Sequence, residues 1–105
     1  MSDSRLDALH AIVAGTPRDA RARFFLAHEL FKAGSWADAA EHYTTYLVLD
    51  SGDVGAAWKN LGLCLDRLGR PDEAADAFRK GIVAALAHRH EGLAAEMQEL
   101  LDDRA

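Results

Sequence analysis

The stretch from Ala56 to Phe78, AAWKNLGLCLDRLGRPDEAADAF, decides the fold. Trp58, Leu61, Leu65 and Leu68 recur at the spacing of one helical face, and so do Ala74, Ala75, Phe78 and Ile82 further on. Gly69 stands between the two runs, where a helix can end in the left-handed conformation at no steric cost. Pro71 suits the first turn of the next helix, which does not need its missing N–H. Asp72 and Glu73 then put negative charge near that N-terminus, where the helix dipole favours it. The stretch therefore predicts two helices folded back as a hairpin. Gly62 and Ala74 lack bulk, so the backbones can approach closely while Trp58 and Phe78 fill the space beside them.

The same spacing occurs earlier in the chain. Leu26 and Leu61 are 35 residues apart, as are Leu30 and Leu65, Gly34 and Gly69, Ala39 and Ala74, Ala40 and Ala75, and Tyr43 and Phe78. Six equivalent pairs at one offset predict a second hairpin, with helices over residues 20–32 and from Ser35 to about Leu49. Ser35 is placed as the N-cap of that second helix, with Asp38 three residues on. Its apolar residues are Trp36, Ala39, Ala40, Tyr43, Tyr46 and Leu47.

Trp58-x2-Leu61-Gly62-x2-Leu65 followed by Ala74-x3-Phe78 resembles the tetratricopeptide repeat (TPR) pattern, with Leu65 where Tyr is usual. In the first copy the match is Leu26-Ala27-x2-Leu30 and Ala39-x3-Tyr43, with Arg23 in the Trp place. The resemblance covers roughly residues 5–87. It implies an all-α solenoid of αα-hairpins, about six helices in a right-handed superhelical stack. The expected organisation is one domain over residues 1–105: a capping helix within 1–17, repeats over 20–53 and 55–88, and a C-terminal capping helix over 92–102. The usual period is about 34 residues, so the extra residue is placed in the loop of residues 50–55, where Ser51 replaces the closing proline.

The flanks follow from the same logic. Residues 1–4 read as frayed, with Ser4 capping a helix over residues 5–14 that carries Leu6, Leu9, Ile12 and Val13. Pro17 falls where a repeat closes, so this helix reads as the second half of a truncated repeat. Leu93, Ala94, Met97, Leu100 and Leu101 mark a last amphipathic helix, and a break near Gly92 is expected before it. A polar outer face on such a helix suits the end of an array.

Composition narrows the function classes. The 105 residues carry a formal charge of −5 with acidic and basic residues interspersed, and no basic stripe forms. This disfavours nucleic acid, which needs a basic surface, and an anionic membrane surface. The longest apolar run, residues 81–87, is too short to cross a bilayer. One cysteine, Cys64, leaves no internal disulfide framework. The N-terminal residues have no signal-peptide pattern, and a cytoplasmic location is the expectation.

The five histidines do not form a metal set. His88 and His90 are two apart, which no helix places on one face. His10, His28 and His42 come from separate helices without zinc-type spacing. Cys64 lies in an apolar stretch and reads as an inert small hydrophobe. No metal, cofactor or catalytic residue is expected.

The resemblance implies a protein-binding role, with first helices lining a concave groove. Carried onto this sequence, the groove residues are Phe24, His28, Phe31 and Lys32 from the first repeat and Lys59, Asn60, Leu63 and Arg67 from the second, with Arg21 and Asp66 beside them. Asn60 stands where many members hold a peptide backbone, since an amide can both donate and accept; the alternative is a plain surface residue. Phe24 and Phe31 either read a ligand or pack inside. The family's best-known site grips a C-terminal carboxylate, but Phe24 and His28 replace its first Lys and Asn, and only Asn60 matches. The expected partner is therefore an amphipathic or acidic peptide or helical segment, of unspecified identity. The alternative is a self-associating scaffold, a homo-oligomer stacked through its solenoid ends. Trp36 is expected to pack across the hairpin, the other reading being an exposed aromatic on the convex side usable for self-association.

Overall fold

The computed structural model describes residues 3–50 and 52–104. Six helices follow one another among the described residues: α1 (Asp3–Gly15), α2 (Ala20–Lys32), α3 (Trp36–Leu49), α4 (Ala56–Arg67), α5 (Pro71–Ala87) and α6 (Glu91–Asp102). Consecutive helices pack side by side, α2 on α3 and α4 on α5 as the two hairpins, with α4 also against α3 and α6 against α5. No strand occurs among the described residues. The all-α, hairpin-stacked expectation holds.

Three helix ends share one construction. Behind α2, Gly34 adopts φ 79° and the N–H groups of Gly34 and Ser35 return to the carbonyls of Phe31 and Leu30. Behind α4, Gly69 adopts φ 74° and the Gly69 and Arg70 amides return to Asp66 and Leu65. Behind α5 the left-handed residue is Arg89, φ 58°, with the Arg89 and His90 amides on Leu86 and Ala85. Each closes orphan carbonyls by the same pair of returning bonds. The break before the last helix is therefore at Arg89. Gly92, expected to mark it, already lies in the first turn of α6.

The helix starts differ more. Ser35 occupies the N-cap of α3, but its side chain makes no capping bond. Asp19 caps α2 by accepting from the Ala22 amide at 3.1 Å. Ser4, expected as a cap, lies within α1, because that helix already includes Asp3. Of the expected frayed start, Met1 and Ser2 fall outside the described residues, as does Ser51.

The core holds Leu26, Ala27, Leu30, Ala39, Tyr43, Ala57, Leu61, Cys64, Leu65, Ala74, Phe78, Ala85 and Met97. Gly62 meets Phe78 as the sequence implied: a Cβ there would lie 2.7 Å from Cδ1 and Cζ of the ring. Gly81 is a second close approach, where a Cβ would run into the Met97 sulfur and lie 2.8 Å from Trp58 Cβ. α1 turns Leu6, Leu9 and Val13 inward and leaves Ile12 half exposed. At the 35-residue offset those three correspond to Glu41, Thr44 and Val48, which face outward on α3. α1 covers the end of the stack with a different face from that used by α3 and α5.

Candidate functional site

On α2 the exposed residues Arg21, Phe25 and Lys32 form one row with the half-buried His28. The equivalents at the same offset on α4 are Ala56, Asn60, Arg67 and Leu63. At 3.6 residues per turn this face of α4 lies opposite the one carrying Trp58, Leu61, Leu65 and Leu68. The two rows are equivalent faces of α2 and α4.

The expected groove residues divide by what they touch. Phe24 points into the α2–α3 seam, its ring 5.1 Å from Tyr46 and 6.0 Å from Tyr43. Phe31 sits edge-on to Trp36 at 5.5 Å and to Tyr43 at 6.4 Å. Both are anchored in packing and half-buried. The His28 ring lies parallel to Phe24 at 6.3 Å, and its buried Nδ1 has no hydrogen-bond partner in the structure. Lys32 pairs with Glu29 at 3.0 Å, and Arg5 of α1 approaches the same carboxylate at 3.5 Å. The hydrogen bond from Lys32, followed by Arg5, holds Glu29 below the usual carboxylate range.

The α4 residues are largely engaged by neighbouring helices. Lys59 donates to Glu96 of α6 at 2.6 Å, which lowers the Glu96 pKa. Asn60 donates its side-chain amide to the Tyr43 hydroxyl at 3.0 Å. Tyr43 is fully buried, and burial pushes its phenol up to about 12 although the Asn60 bond opposes this. Asp66 receives both terminal nitrogens of Arg104, at 2.9 and 2.7 Å. Leu63 is half-buried against the core. The exposed Arg67 places its guanidinium 4.9 Å over Trp36, a cation–π contact across the repeat boundary.

The residue that the sequence reading passed over is Phe25. It is 51% exposed, and with Arg21, Phe24, Tyr46 and Asp50 it borders a hollow of about 300 Å³. The offset held the signal, since Phe25 stands 35 residues before Asn60. A larger hollow, about 620 Å³, lies on the opposite side of α4. Trp58, Leu61, Leu65 and Leu68 form its floor, with Thr44 and Thr45 of α3 and Asp76 and Lys80 of α5 among its walls. The sequence gives no hint of it, because its width depends on two helices that are not neighbours in the chain.

Asp53 was also unforeseen. It is 8% exposed, accepts from the Gly55 and Ala57 amides at 2.8 and 3.1 Å, and takes the Tyr46 hydroxyl at 3.2 Å. It thus caps α4 and ties it to α3. Burial, reinforced by the Asp53 charge, pushes the Tyr46 phenol well above its ordinary range.

No three His, Cys, Asp or Glu side chains among the described residues are placed to hold a metal ion. Cys64 is fully buried and burial pushes its thiol up to about 11, which suppresses the reactive thiolate. No helix among the described residues is long and apolar enough to cross a membrane.

Six stacked helices, two hairpins at one offset and the Gly62–Phe78 contact define a helical-repeat protein. The tetratricopeptide repeat family model matches residues 6–54 and 24–87, and the chain belongs to that family. Its repeats generally mediate protein–protein interactions and are typically non-catalytic. No curated protein matches the sequence.

Proposed function

We propose that this chain is a non-catalytic adaptor that seats a peptide or helical segment of a partner protein on the groove-facing sides of α2 and α4. The observation that carries this is Phe25: a half-exposed aromatic in one row with Arg21, His28 and Lys32, beside a hollow whose other wall is Tyr46 of α3 and Asp50 at its C-cap. Exposed aromatics with a pocket beside them are the usual anchors of protein interfaces. Phe25, His28, Lys32, Leu63 and Arg67 form the contact row in this reading. Phe24 and Phe31 support it from beneath, and Lys59 and Asn60 fix its floor through Glu96 and Tyr43. The flanking cations favour an acidic amphipathic segment. A cytoplasmic setting is part of the same proposal.

The hollow over Trp58 supports a second reading, in which the segment lies between α3 and α5 on the other side. Scaffolding through solenoid ends draws less support, since α6 turns Glu91, Gln98, Glu99 and Asp102 outward. Photo-crosslinking separates the three. A photoreactive phenylalanine analogue is placed at Phe25, at Thr44 or at Gln98, and crosslinked products are identified from lysate of the source cells. Capture of a protein from position 25 alone is the expected result. Capture from position 44 alone moves the site to the other side, and self-crosslinking at position 98 favours the scaffold.

A further inference from the structure

α1 is held on the stack by few apolar contacts, and Val13 is its one buried side chain among the described residues. Its ion pair to Glu29 is long, and Arg5 is 72% exposed, so that pair contributes little. The remaining tie is polar and lies where α1, α2 and α3 meet. Arg23 of α2 donates to the carbonyl of Pro17, in the turn after α1, at 2.7 Å. Its other terminal nitrogen lies 3.2 Å from Nδ1 of His42 on α3. The His10 ring of α1 stands edge-on to the same imidazole at 6.2 Å.

This geometry fixes the state of His42. A guanidinium has donors only and stays charged, so Nδ1 must accept and the ring must be neutral. A proton on Nδ1 would remove the acceptor and set two cations face to face. Arg23 has no spare partner with which to adjust, since its buried Nε is already unpaired. We infer that protonation of His42 unlatches α1 from the repeats, making the N-terminal helix an acid-released cap over the apolar seat of Leu6, Leu9 and Val13.

The groups facing His42 are Arg23 from α2, His10 from α1, and Asp38 and Glu41 from its own helix. Burial, then Arg23, hold its pKa below the ordinary histidine value, while Glu41 and Asp38 oppose them more weakly. The released form therefore binds the proton better than the latched form. Docking is at full strength above the ordinary value of 6.5 and is lost as pH falls through the lowered one.

The test is amide hydrogen exchange, expressed as protection factors, at about pH 7.5 and about pH 5.5, on either side of the ordinary histidine range. Wild type is compared with His42→Gln, which keeps a carbonyl acceptor for Arg23 but does not titrate. Protection of α1 should fall by up to about tenfold, the ceiling set by the one pH unit between about 5.5 and the ordinary histidine value, while α4 and α5 keep theirs. His42→Gln should show no such fall. Unchanged α1 protection in wild type, or an equal fall in the variant, overturns the inference. If the variant does not fold, NMR titration of wild type decides. The α1 amide shifts must follow the midpoint of the His42 ring, and a separate midpoint overturns the latch.

Discussion

The two hairpins solve one packing problem in opposite ways. In α4–α5 the space between helices is closed by removing bulk: Gly62 admits Phe78, and Gly81 admits Met97 and Trp58. In α2–α3 the equivalent positions hold Ala27, Tyr43 and Tyr46, and Arg23 stands in place of Trp58. These larger side chains end in polar groups, and each end needs a partner. Tyr43 finds Asn60, Tyr46 finds Asp53, and Arg23 finds Pro17 and His42. The second hairpin should thus be sensitive to added volume and the first to lost hydrogen bonds. The comparison also explains why Asn60 is occupied. Tyr43 carries a buried hydroxyl where Phe78 carries none.

Asp53→Ala tests the polar side most severely. It leaves the Tyr46 hydroxyl and two amides at the start of α4 without their acceptor, and hydrogen bonds to a charged group are worth about 1.5–3 kcal/mol each. We expect a loss of about 3 kcal/mol by urea unfolding. A loss below about 1 kcal/mol would mean that water replaces the carboxylate freely.

Gly62→Ala tests the volume side. Overpacking should cost about 2 kcal/mol, against which alanine's helix preference returns up to about 1 kcal/mol. A net fall in melting temperature of about 4–8 °C follows for a domain of this size. Gly62→Leu should be worse. The counterpart Ala27→Gly should cost about 1 kcal/mol through helix propensity alone. Both exchanges should therefore destabilise, and a gain in stability from Gly62→Ala would break the contrast.

Two smaller effects sharpen it. Tyr43→Phe removes the hydroxyl and frees Asn60, and should cost about 1 kcal/mol. The same cost in an Asn60→Ala background would show that the two groups are not coupled. Arg89→Gly should stabilise by about 0.5–1 kcal/mol, because it gives the third helix end the residue that Gly34 and Gly69 already supply. A loss of stability there would assign the Arg89 side chain a role of its own.

The fold was legible in the sequence because repetition multiplies weak signals. Gly62 opposite Phe78 follows from spacing, and the 35-residue offset supports it six times over. What escaped depends on facts that spacing does not carry. Phe24 and Phe25 are adjacent on one helix, and only rotation about its axis decides which ring turns inward. Asp53 lies in a loop that reads as a neutral insertion, yet its carboxylate unites a loop, a helix start and a tyrosine. The turn at Arg89 escaped because glycine is the usual mark of such a turn, and Gly92 stood nearby as a decoy. The face that α1 buries follows from how it docks on α2, for which the chain has no second copy to compare.

The claim at the centre of this account is that a partner is held by the outer row around Phe25, while Asn60 serves the core. The direct measurement is the affinity of the crosslinked partner for wild type, Phe25→Ala and Asn60→Ala, each verified as folded. Phe25→Ala should weaken binding about tenfold or more, as loss of an anchor does, and Asn60→Ala should change it about twofold at most. Loss of affinity in Asn60→Ala with Phe25→Ala unaffected would contradict the account and put Asn60, not Phe25, in the contact row.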